Sequence, residues 1–172
     1  MSVELLKYPQ QSDWEMCKLL TLNTIGKKYT GSTVTDEWKR KILQAGHSPI
    51  RSLVFIFRLE IPYWVSVHLV RHKIGVEHFV QSQRNDRQNN YDRTKAPQDA
   101  MVSHCIMLNA ESLITLCHKR LCMQASAETR AIVAEMKRQV LAVCPEFEGL
   151  LVPLCEYRNG KCTEFKPCGR YA

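Results

Sequence analysis

The hydrophobic period changes abruptly in the middle of the chain, and this change constrains the fold more than any other feature. In residues 51–61 every second residue from Leu53 to Ile61 is strongly apolar, which predicts a strand of about ten residues with one apolar face. Pro62 suits the first position of a helix, and residues 61–73 read as that helix. The middle of the chain is therefore predicted to pass directly from sheet to helix.

Helical patterns occupy much of the remaining sequence. Residues 13–27 read as a helix capped by Asp13, and residues 36–45 read as a second helix that Gly46 stops. Two later segments also read as helices, 101–123 and 126–143. We therefore predict an α+β protein, with a small antiparallel sheet packed against helices in a single domain over residues 1–172.

Length and composition fit this class. A chain of 172 residues with 45% apolar and 24% charged residues is ordinary for one soluble domain. No apolar stretch approaches the roughly 18 residues that a membrane helix requires. The N-terminal segment has neither the basic start nor the apolar core of a signal peptide. We expect a cytoplasmic protein with no membrane partner.

Eight cysteines raise the question of a metal or disulfide framework. Without a signal peptide the default is reduced thiols, and the sequence contains no C-x-x-C pair. The tail 145–172 holds Cys155, Cys162 and Cys168, separated by six and five residues. A metal site there is the alternative to free thiols. We predict free thiols and no metal.

The distribution of cations indicates an anion site. Lys and Arg exceed Asp and Glu by 24 to 17, which favours anionic partners. On the predicted helix 61–73, His68, Arg71 and His72 have the spacing i, i+3 and i+4 and would share one face. In the predicted helix 101–123, Arg120 lies on one stripe with Asn109, three turns away. Arginine forks and hydroxyls bind phosphate, so we predict a site for phosphorylated small molecules.

A nucleic-acid surface is the alternative interpretation of these cations. Residues 81–93 contain arginines and almost nothing apolar, and Phe79 and Tyr91 lie beside or within this segment. Such side chains could stack on bases while the arginines neutralise phosphates.

Five sequence elements resemble the flavin-dependent thymidylate synthases (ThyX). The central one is Arg71-His72-Lys73, followed after eight residues by Ser82-Gln83-Arg84. The other four are His47-Ser48-Pro49 before the predicted strand, Arg93-x-x-x-Pro97, Asn109 eleven residues before Arg120, and the run Arg120-Leu-Cys-x-x-Ala-Ser-x-Glu-Thr-Arg130. They follow the family's order and cover about residues 36–143.

The resemblance implies an enzyme that converts dUMP to dTMP. Methylenetetrahydrofolate would give the carbon, NADPH would reduce FAD, and the reduced flavin would deliver the hydride. It also implies a homotetramer. No cysteine nucleophile is needed, which fits cysteines without an activating pattern.

The resemblance also implies a role for individual residues. Arg120 would be the catalytic residue, meeting the uracil edge and stabilising charge as N3 loses its proton. The substrate contacts carried over are His68, Arg71, Ser82, Arg84, Arg93 and Arg120. The FAD contacts carried over are Ser48, His72, Lys73, Ile74 and Asn109.

Several positions depart from the family pattern. The departures are Lys73 for an Arg, Phe79-Val80 for an Asn-Glu pair, Arg51 for a Glu, and Glu111 and Thr115 at two flavin-contacting positions. They leave two further hypotheses open. One is a related flavoenzyme that acts on another pyrimidine nucleotide. The other is a nucleotide- or nucleic-acid-binding module that has lost flavin.

Overall fold

A four-stranded sheet and six helices make up the chain in a computed structural model, which describes residues 1–87 and 92–171. The strands are β1 (Ser2–Lys7), β2 (Val54–Pro62), β3 (Val76–Val80) and β4 (Met101–Asn109). The helices are α1 (Gln11–Asn23), α2 (Asp36–Ala45), α3 (Tyr63–Leu69), α4 (Ala110–Arg120), α5 (Ala127–Val143) and α6 (Leu154–Tyr157). Three short 3-10 turns are Ser48–Ser52, Asn85–Arg87 and Pro145–Phe147.

The sheet is antiparallel throughout and has the strand order β1-β2-β4-β3. Its two central strands bury alternate residues, so that Phe57 of β2 lies opposite Ile106 of β4 and both are inaccessible to solvent. The helices bury this same face, where Leu113 and Met136 are also fully buried. One core therefore lies between the sheet and the helices, and the predicted α+β class with a small antiparallel sheet is confirmed.

The prediction of one helix over residues 101–123 is wrong. Residues 101–109 form the central strand β4, in which Val102, His104 and Ile106 are buried while their neighbours are more exposed. This two-residue period was present in the sequence but was hidden by the helical stripe that follows it. Helix α4 begins only after Asn109, whose side-chain Oδ1 accepts the N–H of Ser112 at 2.9 Å.

The other helices agree with the sequence to different degrees. The predictions for α2 and α5 are confirmed, and Gly46 ends α2 in the left-handed conformation, with φ +61°. The cap of α1 is Gln10 rather than Asp13, which lies inside the helix and accepts the Gln10 N–H at 2.8 Å. Helix α3 ends at Leu69, four residues earlier than predicted. None of the helices in the described part of the chain has the length and apolar character required to cross a membrane.

A close contact joins the start of α4 to the turn that precedes β3. Gly75 has φ +67°, and its carbonyl accepts the N–H of Asn109 at 3.1 Å. The neighbouring carbonyl of Ile74 accepts the hydroxyl of Ser112 at 2.7 Å. A Cβ on Gly75 would lie 2.3 Å from Asn109 Nδ2 and 2.5 Å from Ser112 Oγ. Glycine is therefore required here both for its backbone conformation and for its lack of a side chain.

We expect Gly75→Ala to destabilise the protein more than the matched control Gly149→Ala. Gly149 also has positive φ, at +78°, but a Cβ there would meet nothing within 4 Å. In both variants the alanine must adopt a left-handed backbone conformation, which lowers the free energy of unfolding by about 1–2 kcal/mol. Gly75→Ala adds a steric cost of ~1–3 kcal/mol. Urea denaturation of the two variants measures the difference. Equal losses of unfolding free energy would contradict the close contact.

Candidate functional site

A large cavity near the predicted site residues lies where the turn after α3 meets the start of α4. It has a volume of about 570 Å³. The turn contributes cationic and apolar groups, and α4 contributes a carboxyl and two hydroxyls. The lining residues are Arg71, His72, Lys73, Ile74, Glu111, Ser112 and Thr115. Ile74 is 90% exposed, so an apolar side chain stands in solvent at the cavity wall. This combination suits a ligand that has both anionic and apolar parts.

A second cavity of about 220 Å³ shares the wall residue Arg71 with the first. It is lined by Tyr63, Trp64, Val67, His68, Arg71 and Gln98. The indole of Trp64 lies edge-on to the imidazole of His68, with ring centroids 5.4 Å apart. Arg71 is the residue that lines both cavities, so one exposed guanidinium serves two adjacent spaces.

Arg120, the last residue of α4, connects the walls of the two cavities. Its Nε–H donates to Nε2 of His72 at 2.8 Å, and its Nη2–H donates to the carbonyl of His68 at 3.0 Å. No carboxylate among the described residues forms a salt bridge with it. Burial and, to a lesser degree, nearby Arg71 lower the pKa of Arg120. Its two partners among the described residues are neutral, so they do not cancel its positive charge, and Arg120 itself lines neither cavity.

The prediction that His68, Arg71 and His72 share one helix face is wrong, because α3 ends at Leu69. Arg71 and His72 lie in the turn that follows, where the His72 N–H donates to the carbonyl of Leu69 at 3.0 Å. Tertiary structure brings the three residues together instead, through the two hydrogen bonds of Arg120 and the shared cavity walls.

His72 is a neutral hydrogen-bond acceptor. Burial, the charge of Arg120 and the neighbouring His78 lower the pKa of His72 to about 4. Because Nε2 accepts the Arg120 N–H, the ring proton of His72 lies on Nδ1. The imidazole therefore orients the guanidinium without neutralising it.

Two further histidines, His78 and His104, are hydrogen-bonded to each other next to His72. Nδ1 of His78 in β3 lies 2.9 Å from Nε2 of His104 in β4, and Nε2 of His78 lies 2.8 Å from the carbonyl of His72. His104 is fully buried, and its Nδ1 has no hydrogen-bond partner among the described residues. Burial, with a smaller effect of His78, lowers the pKa of His104 to about 4.

The predicted FAD contacts divide between the larger cavity and its surroundings. Residues 72–74 line the cavity, whereas Asn109 lies beside it as the cap of α4. Ser48 is exposed at the start of a 3-10 turn and does not line the cavity. In that same turn, Arg51 Nε–H donates to Glu111 Oε2 at 2.6 Å and Arg51 Nη2–H to Oε1 at 3.2 Å. Arg51 and Glu111, which both depart from the ThyX pattern, thus form an ion pair, and the carboxylate of Glu111 lies at the cavity wall.

The remaining predicted substrate contacts lie on the loop after β3, away from the walls of both cavities. Arg84 pairs with Asp86 through two hydrogen bonds of 2.9 and 2.6 Å, and its backbone N–H donates to Ser82 Oγ at 3.3 Å. The side chain of Arg93 is exposed. Tyr91, considered for base stacking, lies outside the described residues. The roles of Ser82, Arg84 and Arg93 stay predictions.

Sequence reasoning missed several residues of the cavity walls. Ser112 could have been found, because it lies three residues after Asn109 in a helix-capping pattern. Tyr63, Trp64 and Gln98 have no sequence signal, since the second cavity arises only when Gln98, just before β4, packs near α3. The backbone N–H of Trp64 donates to the carbonyl of Gln98 at 3.2 Å and holds these segments together.

The cysteines of the tail gather near the end of α4. Cys155, Cys162 and Cys168 line a small cavity of about 20 Å³ together with Cys122 and His118. All eight cysteines are free thiols. Among the described residues, no three His, Cys, Asp or Glu side chains are arranged so that they could hold a metal ion. The prediction that the tail binds no metal stays a prediction.

Comparison with known proteins gives a likeness of fold. No protein-family model matches the chain, and no curated protein matches it. Among solved structures, it is similar to a UMP/dUMP methylase, PolB from Streptomyces cacaoi, bound with 5-Br dUMP. The TM-score is 0.67 over 87% of this chain and 93% of that chain, at 14% identity. At this identity the likeness shows a shared fold.

We expect the protein to lose stability as the pH falls from about 6.5 towards 4. His72 and His104 have folded-state pKa values of about 4, below the ordinary value of 6.5. Below 6.5 the unfolded chain therefore binds more protons at these rings than the folded chain does, and acid favours unfolding. The stabilisation is fully present above pH 6.5. Denaturant unfolding of the native protein and of His104→Gln between pH 4 and 8 measures how the free energy of unfolding changes with pH. The same pH dependence in the two proteins would contradict the assignment to His104.

Proposed function

We propose that this chain is a flavin-dependent methylase that converts dUMP to dTMP. The observation that carries the proposal is Arg120, a cation with no acidic partner among the described residues, bonded to a wall residue of each cavity. The fold supports it, because a similar solved structure is a UMP/dUMP methylase bound with 5-Br dUMP. Assembly as a homotetramer is part of the same proposal.

In this proposal, different cations contact different parts of the nucleotide. Arg71 lines both cavities and is exposed, so it is placed to hold the substrate phosphate as a bidentate fork. Arg120 meets the uracil edge and stabilises the negative charge that develops when N3 loses its proton. Since His72 and His68 already fix the guanidinium, little reorganisation is needed as that charge appears. Ser82, Arg84 and Arg93 complete the phosphate contacts in this proposal.

The residues of the larger cavity fit a phosphorylated cofactor such as FAD. Arg71 and Lys73 supply positive charge for a pyrophosphate, Ser112 and Thr115 supply hydroxyls, and Ile74 supplies an exposed apolar surface. A volume of about 570 Å³ lies in the range of small-molecule sites. The residues proposed to hold FAD are Ser48, His72, Lys73, Ile74 and Asn109. When bound, the flavin supplies the hydride, with NADPH as reductant and methylenetetrahydrofolate as carbon donor.

A related nucleotide, UMP, is the second candidate substrate. The name of the structural neighbour covers both UMP and dUMP. In this chain, Phe79-Val80 stands where the ThyX pattern has an Asn-Glu pair, and Phe79 is 62% exposed on the edge strand β3. The two substrates differ only in the ribose 2′-hydroxyl, so a direct comparison of their affinities separates the candidates.

We expect the purified protein to bind FAD and dUMP together. Absorption spectra with and without added FAD test the cofactor, and calorimetry of the FAD-loaded protein with dUMP and with UMP tests the substrate. Tighter binding of UMP would favour the second candidate. A colourless protein that ignores added FAD would leave a nucleotide- or nucleic-acid-binding module.

We expect Arg120→Ala to lower the rate by about a hundredfold or more while FAD binding persists, as for other preorganised donors. Arg120→Lys should rescue weakly, because an ammonium cannot reproduce the planar fork. Arg138→Ala is the matched control, since Arg138 lies on the exposed face of α5 and pairs with Glu135. Single-turnover flavin oxidation and melting temperature are the measurements. A variant that melts far lower yet turns over normally per folded molecule would make Arg120 structural.

A further inference from the structure

His104 is an unusual residue for its position in the core. It lies on the buried face of the central strand β4, flanked on that face by Val102 and Ile106, and none of it is accessible to solvent. Its Nδ1 has no partner in the described part of the chain. A buried polar atom without a partner destabilises the fold, so an apolar residue would serve the core better. The presence of a histidine at this position therefore requires an explanation other than packing.

The hydrogen bonds around His104 fix the proton positions of the whole group. The carbonyl of His72 can only accept, so Nε2 of His78 carries a proton. In a neutral His78 ring, Nδ1 is then an acceptor, and the proton in the 2.9 Å contact comes from Nε2 of His104. This leaves Nδ1 of His104 as the unpartnered lone pair, which is less costly than a buried unpaired N–H would be. Each ring therefore has one tautomer that satisfies its neighbours.

We propose that His104 and His78 are positioning residues for Arg120, an inference that rests on the role proposed for Arg120. The series runs from His104 in β4 to His78 in β3, then to the backbone and ring of His72, and from there to Arg120 at the end of α4. The series ends at the backbone carbonyl of His68 in α3, which accepts a hydrogen bond from Arg120. Three elements and the turn after α3 are thereby fixed relative to one guanidinium.

The positioning acts through the turn that holds the cavity cations. By donating to the His72 carbonyl, His78 fixes the backbone between Arg71 and Lys73, both of which line the larger cavity. It also holds the His72 ring where its Nε2 lone pair meets Arg120. Without His104, the Nδ1 of His78 loses its donor. The tautomer and orientation of the His78 ring are then no longer determined.

The test compares two substitutions at the same buried position. In His104→Gln the amide N–H can stand in for the Nε2–H of histidine, whereas His104→Leu removes the donor and keeps the bulk. Nitrogen-15 NMR of the histidine rings and of the Arg120 Nε–H, without any ligand, reads the tautomers directly. We expect the native pattern in His104→Gln, and mixed His78 tautomers with a shifted Arg120 signal in His104→Leu.

A ligand measurement connects the geometry to function. Calorimetry with dUMP should show an affinity loss on the order of tenfold in His104→Leu, as a displaced binding group produces, and near-native affinity in His104→Gln. Should His104→Leu fail to fold, His78→Phe removes the next donor along the series and is expected to show the same loss.

The outcomes separate this inference from the proposed function. Unchanged ring and Arg120 signals in His104→Leu would overturn the positioning role, and so would a His104→Gln variant that behaves like His104→Leu. A lower melting temperature with native signals and affinity would show that the histidines only support packing. If dUMP binds to no variant and not to the native protein, the proposed function fails, while the NMR comparison still decides the positioning role.

Discussion

The hydrogen bond from Arg120 to His72 organises the site, because it joins a cation to a base that stays neutral. A carboxylate in place of the imidazole would orient the guanidinium equally well but would cancel its charge. Burial lowers the pKa of His72 to about 4, so the ring accepts a hydrogen bond at neutral pH and adds no charge. A fixed cation whose charge these bonds do not cancel is therefore attached to one wall residue of each cavity.

This arrangement depends on the direct passage from β4 into α4. Strand β4 supplies His104, α4 supplies Arg120, and Asn109 lies between them as the cap of the helix. A shift of one residue in the β4 register would turn His104 to the other face of the sheet and remove it from His78. The pairing of His104 with Leu59 in β2 and with Val80 in β3 holds that register from both sides.

Sequence patterns predicted the class of fold but not the geometry of the candidate site. The strand through Phe57 and the helices α2 and α5 follow from periodicity and caps that are purely local. The end of α3 at Leu69 could not be predicted, because the residues that follow are compatible with a helix. The motif residues 71–74, singled out from the sequence as ligand contacts, line the larger cavity, and the contacts assigned to them stay predictions. The histidine series was not identified from the sequence, since residues 72, 78, 104 and 120 share no spacing and meet only when the sheet forms.

The contact at Gly75 has a mechanical consequence. The carbonyls of Ile74 and Gly75 are bonded to the first turn of α4, so this turn and the helix move as one body. The first residues of α4 line the larger cavity, and its last residue, Arg120, touches walls of both. A helix of eleven residues is stiff along its length and transmits a displacement at one end to the other. The walls of the two cavities are therefore joined mechanically through one helix, and not only through their shared residue Arg71.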